Sequence, residues 1–156
     1  MSRERQDLLS RSALGVFRLN GQFLGVAEEL ARPAGLTAAW WQVLGAVLGE
    51  PLPVSGIARA MGITRQSVQR IADLLVERGL AEYRPNPAHR RAKLLTPTEE
   101  GRAAIARIDP GHTAFADRLA EAFGEAELAE AVDVLERLSK VLDQVGPPVT
   151  HPPPVT

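Results

Sequence analysis

The stretch from Thr64 to Gly79 constrains the chain most, because it carries the start, both faces and the stop of one helix. Thr64 is an N-cap residue, whose hydroxyl can accept a hydrogen bond from a first-turn N–H. Gly79 stands where a helix ends in a left-handed C′ glycine. Between them, Val68, Ile71, Ala72 and Leu75 recur at helical spacing and predict a buried stripe. The opposite face presents Gln66, Gln69, Arg70, Asp73 and Glu77, flanked by Arg65 and Ser67. That polar face is graded. Its first two turns hold Arg, Gln and Ser, which pair with major-groove edges and phosphates. Its last two hold Asp73 and Glu77, which phosphates repel. The helix start also directs free backbone N–H groups and a positive dipole end outward. The N-terminal half of such a helix can enter a duplex groove while the C-terminal half leaves it.

The flanking segments complete a pattern. Ser55 is an expected N-cap for a short helix ending near Met61-Gly62, just before Thr64. Leu80–Arg84 alternates weakly as a strand, Pro85–Arg91 is turn-like and basic, and Ala92–Leu95 is an expected returning strand. Helix, turn, helix, strand, basic turn, strand across residues 54–96 is the winged helix-turn-helix order. The hairpin concentrates His89, Arg90, Arg91 and Lys93 where apolar packing has no part. Arginine gains from the focused negative potential of a narrow minor groove. A solvated face or a solubilising loop would explain any one of these residues, and the combination is what points to DNA. The expected contacts are Ser55, Thr64, Arg65, Gln66, Ser67, Gln69, Arg70, His89, Arg90, Arg91 and Lys93. Gln66, Gln69 and Arg70 suit base edges, while Thr64, Arg65 and Ser67 suit phosphates.

The rest of the chain is mostly helical in pattern. Residues 7–31 form an expected long first helix with a wide apolar stripe, ended by Arg32-Pro33. Thr37 can cap a second helix to about Leu48, and Gly49–Pro53 is turn-like. Thr96 with Glu99, and Pro97 between them, offers a capping box for a fifth helix. Asp109-Pro110-Gly111 interrupts that helix, as a kink or as a break, before it resumes to Gly124. From about Glu125 to Val145, Leu128, Ala131, Leu135, Leu138, Leu142 and Val145 trace a coiled-coil seam. Residues 146–156 are Pro-rich and suggest a disordered tail.

The formal net charge of −1 conceals an uneven distribution, with surpluses of +1 over residues 1–63, +4 over 64–93 and −6 over 94–156. A basic block before an acidic remainder suggests one face for phosphate and another for something else. The chain has no cysteine, which excludes disulfides, thiolate metal sites and thiol redox sensing. The N-terminus lacks a signal-peptide pattern and the most apolar stretch, Ala38–Leu48, is too short for a membrane span, so a cytoplasmic location without membrane contact is expected. The residues suggest no phosphate loop, metal spacing or nucleophilic set, so neither enzymatic activity nor a cofactor is expected.

Several segments together carry a family resemblance. Leu36–Leu44, with Thr37 and Trp41, resembles a characteristic helix of the MarR (multiple antibiotic resistance regulator) family, and Ile57–Val68 resembles its helix-turn-helix. Leu74–Leu80 is similar to the end of its recognition helix. Ala88–Ala92 through Leu95–Gly101 resembles its wing and the following T-x-x-G helix start. The resemblance, over residues 8–145, implies a mainly α winged helix-turn-helix with a two-stranded β-wing and N- and C-terminal dimerisation helices. Residues 1–35 would form the first of these, 36–96 the DNA-binding domain, and 97–145 the C-terminal pair. It implies a homodimer on double-stranded DNA, with Arg91 as the minor-groove arginine. It also implies repression relieved by a small aromatic or lipophilic effector near the junction of the two regions. Trp40, Trp41, His112 and Phe115 are the candidates to line that effector site, although core filling is the simpler role for each tryptophan. His89 departs from the family, standing where the wing usually has Asp, and predicts a wing that gains charge toward acid. The competing interpretation is a winged-helix protein–protein adaptor with an incidental basic hairpin.

Overall fold

The computed structural model describes residues 2–147. Its elements are α1 (Ser2–Ala31), a 3₁₀ turn (Arg32–Ala34), α2 (Ala38–Ala46), β1 (Leu52–Pro53), α3 (Val54–Met61), α4 (Arg65–Glu77), β2 (Ala81–Arg84), β3 (Leu94–Pro97), α5 (Glu99–Phe123) and α6 (Glu125–Val145). The expected tail lies, from residue 148 onward, outside the described residues. No helix among the described residues is long and apolar enough to cross a membrane. The chain divides into two compact units at His112, within α5.

The first unit is built around α4. Val68, Ile71, Ala72 and Leu75 are all buried, as their spacing predicts, and join Val43, Leu44, Val47, Ile57, Leu95, Ala104, Ile105 and Ile108 in one core. The expected cap at Thr37 forms, and a second residue supports it. Thr37 accepts from the Trp40 N–H at 3.1 Å, and the α1 carboxylate Glu28 accepts from the Ala38 N–H at 2.8 Å, so α1 helps to hold the start of α2. Gly62 and Gly79, with φ of 68° and 75°, take the left-handed conformation that ends α3 and α4.

Five expectations are corrected. The first helix begins at Ser2 rather than residue 7; the added residues are exposed and are followed by an Asp7–Arg11 ion pair one turn apart. The second ends at Ala46 rather than Leu48, its last turn tightened by Val47 and Leu48 donating to Leu44 and Gly45. Residues 52–53 are not only a turn, because Leu52 and Pro53 pair antiparallel with Leu95 and Leu94 and make the sheet three-stranded, in the order β1-β3-β2. Proline is tolerated there because β1 is an edge strand. Ser55 is not the cap of α3: Pro53 holds the N-cap position without a side-chain bond, and Ser55 falls in the first turn.

The fifth correction concerns α5. Its cap is Thr98, not Thr96, which is buried in β3. The Thr98 hydroxyl accepts from the Gly101 N–H at 3.1 Å and donates to the Gly79 carbonyl at 2.6 Å, tying the start of α5 to the end of α4. A Cβ at Gly101 would land on the Leu80 carbonyl oxygen, which explains glycine in the third position after the cap. Pro110 neither breaks nor ends α5, which runs continuously to Phe123. The carbonyl that Pro110 cannot satisfy belongs to Ala106, and both residues are exposed, so water can take the missing donor's place.

In the second unit α6 matches its expected bounds, and Gly124 separates it from α5 with a φ of 104°. No α6 residue is buried.

Candidate nucleic-acid interface

The start of α4 is set by Thr64, whose hydroxyl accepts from the Ser67 N–H at 3.1 Å and donates to the Ser67 hydroxyl at 2.9 Å. With Val68 and Ile71 anchored in the core, the helix must turn Arg65, Gln66, Gln69 and Arg70 outward, and all four are exposed. The wing is placed by register: Tyr83 pairs with Leu95 and Arg84 with Leu94, and the chain between Arg84 and Leu94 projects from the sheet. Asn86 shapes its tip, accepting from the Ala88 N–H on its side chain at 3.0 Å and from the His89 N–H on its carbonyl at 3.2 Å.

These elements enclose one groove of about 1210 Å³. Of the residues predicted from sequence, Ser55, Arg65, Gln66, Ser67, Gln69, Arg70, His89, Arg91 and Lys93 line it. Thr64 and Arg90 do not, although both are exposed. A smaller concavity of about 430 Å³ borders the α4 start and is lined by Ser55, Arg59 and Arg65 among others. Among the described residues, Arg65, Arg70, Arg90, Arg91 and Lys93 form no salt bridge. Arg84 differs, paired with Glu82 at 3.1 Å, and Arg78 lies 5.5 Å from the ring centre of Trp40. The basic surplus of residues 64–93 therefore divides into cations engaged within the fold and cations without a carboxylate partner, of which all but Arg90 line the groove.

Two groove features and one cation beside the groove lie outside the sequence expectations. Arg59, on α3, lines the smaller concavity and is not among the expected contacts. Tyr83 is not among the expected contacts, although it is the chain's single tyrosine and alternation along β2 turns it to the same side as buried Ala81. Asp73 is expected from the sequence only as a carboxylate in the last two turns that phosphates repel, without a partner on β2. It accepts instead from the Tyr83 hydroxyl at 2.5 Å and from the Gln69 Nε2 at 3.0 Å, while Gln69 Nε2 also donates to the Tyr83 oxygen at 2.9 Å. Burial, then the bond to Asp73 and its negative charge, push the Tyr83 phenol up to about 12. Lys93 lies 5.9 Å from the centre of the same ring.

The four effector candidates are distributed differently. Trp41 and His112 meet edge to face, with ring centres 5.3 Å apart. Trp40 is half-buried against the core, and Phe115, in the second unit, has Arg118 5.9 Å from its ring centre. None of the four lines either concavity described above.

The model of the MarR family matches residues 34–92, which contain α2, α3, α4 and most of the wing. A protein of Mycobacterium tuberculosis (strain ATCC 25618 / H37Rv) is 40% identical over 141 residues, covering 90% of this chain and 99% of that one. The crystal structure of Sco5413, a MarR family transcriptional regulator from Streptomyces coelicolor, superposes with a TM-score of 0.71 at 28% identity, over 85% of this chain and 94% of that one. The transcriptional repressor CouR, solved bound to a 23-mer DNA duplex, gives a TM-score of 0.70 at 28% identity over 80% and 89% of the two chains. CouR from Rhodococcus jostii RHA1, bound to p-coumaroyl-CoA, gives 0.65 at 30% identity over 79% and 87%. With the winged helix-turn-helix built as its residues predict, this chain belongs to the MarR family of transcriptional regulators.

Proposed function

We propose that the protein is a homodimeric, sequence-specific reader of double-stranded DNA that represses transcription from a pseudo-palindromic operator until a small aromatic or lipophilic effector binds. The observation that carries this is the groove in which the first turns of α4, the start of α3 and the wing bring together cations without carboxylate partners. Gln66, Gln69 and Arg70 are the base-edge contacts, Thr64, Arg65 and Ser67 the phosphate contacts, and Arg91 with Arg90 the minor-groove arginines. Ser55, His89 and Lys93 border the same duplex. A dimeric reader of this kind spaces its half-sites about one helical turn, roughly 10 base pairs, apart. The CouR structures, one with DNA and one with p-coumaroyl-CoA, support both halves of this proposal by similarity. Trp41 and His112, already paired, are the candidates to meet the effector, with Trp40 as a further contact. Repression is relieved when the effector favours a population whose two recognition helices no longer match the groove spacing. The protein acts by binding rather than by catalysis.

The test is selection of duplexes from a random pool, repeated at two salt concentrations. A selected palindrome, bound with an affinity that falls steeply with salt, supports the proposal. Arg65→Ala removes one phosphate contact per subunit, so it lowers the log–log salt slope by about 0.9 per half-site, or about 1.8 for the dimer. Failure to bind any duplex at low salt refutes the proposal and favours the adaptor.

A further inference from the structure

Gln69, Asp73 and Tyr83 form a closed ring of three hydrogen bonds at the edge of the groove, and the chemistry of the ring orients the amide. The Asp73 carboxylate only accepts, so the amide end facing it is the NH₂. The Tyr83 hydroxyl gives its one proton to Asp73, which leaves its oxygen to accept from the same NH₂. Both Gln69 donors are thereby engaged, one by the carboxylate and one by the phenol. The amide carbonyl is the group without an intramolecular partner in this ring. Turning the amide over would set its oxygen against the carboxylate and leave the phenol oxygen without a donor. The phenol stays protonated through the ordinary pH range, because burial and Asp73 hold it well above its usual value.

An unconstrained glutamine recognises adenine with both ends of its amide, accepting from N6 and donating to N7. Gln69 has no donor to spare for N7. We infer that Asp73 and Tyr83 are positioning residues that make Gln69 an acceptor-only reader, selecting a base that offers an exocyclic amine in the major groove. Cytosine N4 and adenine N6 both meet that requirement, whereas guanine and thymine present acceptors there. At the base facing Gln69, the protein therefore tolerates cytosine and adenine alike. This inference rests on the proposed DNA-reading role of α4 and adds the form of the specificity.

The experiment is duplex selection with the full chain, comparing wild type with Gln69→Ala, Tyr83→Phe and Asp73→Ala, alongside affinity for random duplex and its salt slope. In wild type, one position per half-site should accept cytosine and adenine over guanine and thymine, and Gln69→Ala should erase that preference. Loss of the acceptor bond should weaken the selected duplex by about 3- to 10-fold per half-site, and random duplex by less. Tyr83→Phe and Asp73→Ala each release an amide donor, so the same position should shift toward adenine alone. A purely structural role would weaken all sequences together and produce no shift from two bases to one. Because two variants release the donor independently, a folding defect in one leaves the other to decide. Wild-type preference for adenine alone, or both release variants retaining the two-base preference, overturns the inference while leaving DNA binding intact. Absence of any salt-dependent duplex binding by wild type overturns the proposed function itself.

Discussion

Gly101 is a residue at which one methyl group has much to disturb, because the Leu80 backbone oxygen occupies the place of its missing Cβ. The neighbours have little room to yield: Leu80 also accepts from the Thr98 N–H at 3.1 Å, and Thr98 caps α5. Gly101→Ala should therefore destabilise the fold by about 1–3 kcal/mol, read as a lower urea midpoint, and a neutral result would mean that α5 can shift freely on the wing. Tyr83 supplies a second prediction. Its folded value, about 12, lies above its ordinary 10.0, so its contribution to stability is complete below pH 10.0 and is lost as pH rises toward 12. The chain has a single tyrosine, so tyrosinate absorbance reports on it alone. The wild-type midpoint should lie well above 10.0 and fall in Asp73→Ala; a midpoint indifferent to Asp73 would remove the hydrogen-bonded ring from solution.

Among the elements, α5 states most clearly what periodicity can and cannot reveal. Asp109-Pro110-Gly111 has the composition of a break, yet Ala104, Ile105 and Ile108 keep the helix seated on the core while Pro110 faces water. Which face a proline occupies is decided by tertiary contacts. Pro110→Ala should accordingly raise stability, by about 1–3 kcal/mol, since hydration of the Ala106 carbonyl already recovers part of the lost bond. Denaturation midpoints compared at equal protein concentration measure this, and an unchanged midpoint would show that the carbonyl is fully compensated. The same distinction separates the rest of the fold. Helix α4 was legible end to end, because Thr64, the Val68–Leu75 stripe and Gly79 all act within one element. Strand β1 was not, because a two-residue strand has no period and exists only through Leu94 and Leu95, some forty residues away. Thr96 and Thr98 both look like caps, and only the sheet register assigns Thr96 to β3. The groove residues were legible as types on the outward face of one helix and at one hairpin tip. The ring through Gln69, Asp73 and Tyr83 joins two elements across fourteen positions and leaves no periodic trace.

At the scale of the whole molecule, two apolar surfaces have no partner among the described residues. In the first unit, α1 exposes Leu8, Leu9, Leu14, Phe17 and Phe23, with Phe17 at 70%. In the second, α6 exposes Leu135, Leu138, Leu142 and Val145, the last at 74%. Side chains of this size recurring along a helix face are the signature of an association surface rather than of scattered surface apolars. The expected seam is also widened by Val132, Val134 and Val141, more than a single two-helix contact requires. The proposed second copy of the chain would satisfy this demand, and two-fold pairing suits a pseudo-palindrome. Leu138→Glu with Leu142→Glu should thus convert the protein to a monomer by sedimentation while α4 and the wing keep their structure. Affinity for a single half-site should be unchanged, because the groove lies entirely within the first unit. Affinity for the full palindrome should fall by about 10²- to 10⁴-fold, the advantage that tethering one reading head to the other confers. A double variant that remains dimeric would place the interface elsewhere. One that becomes monomeric yet holds the palindrome undiminished would show that each subunit reads its site alone.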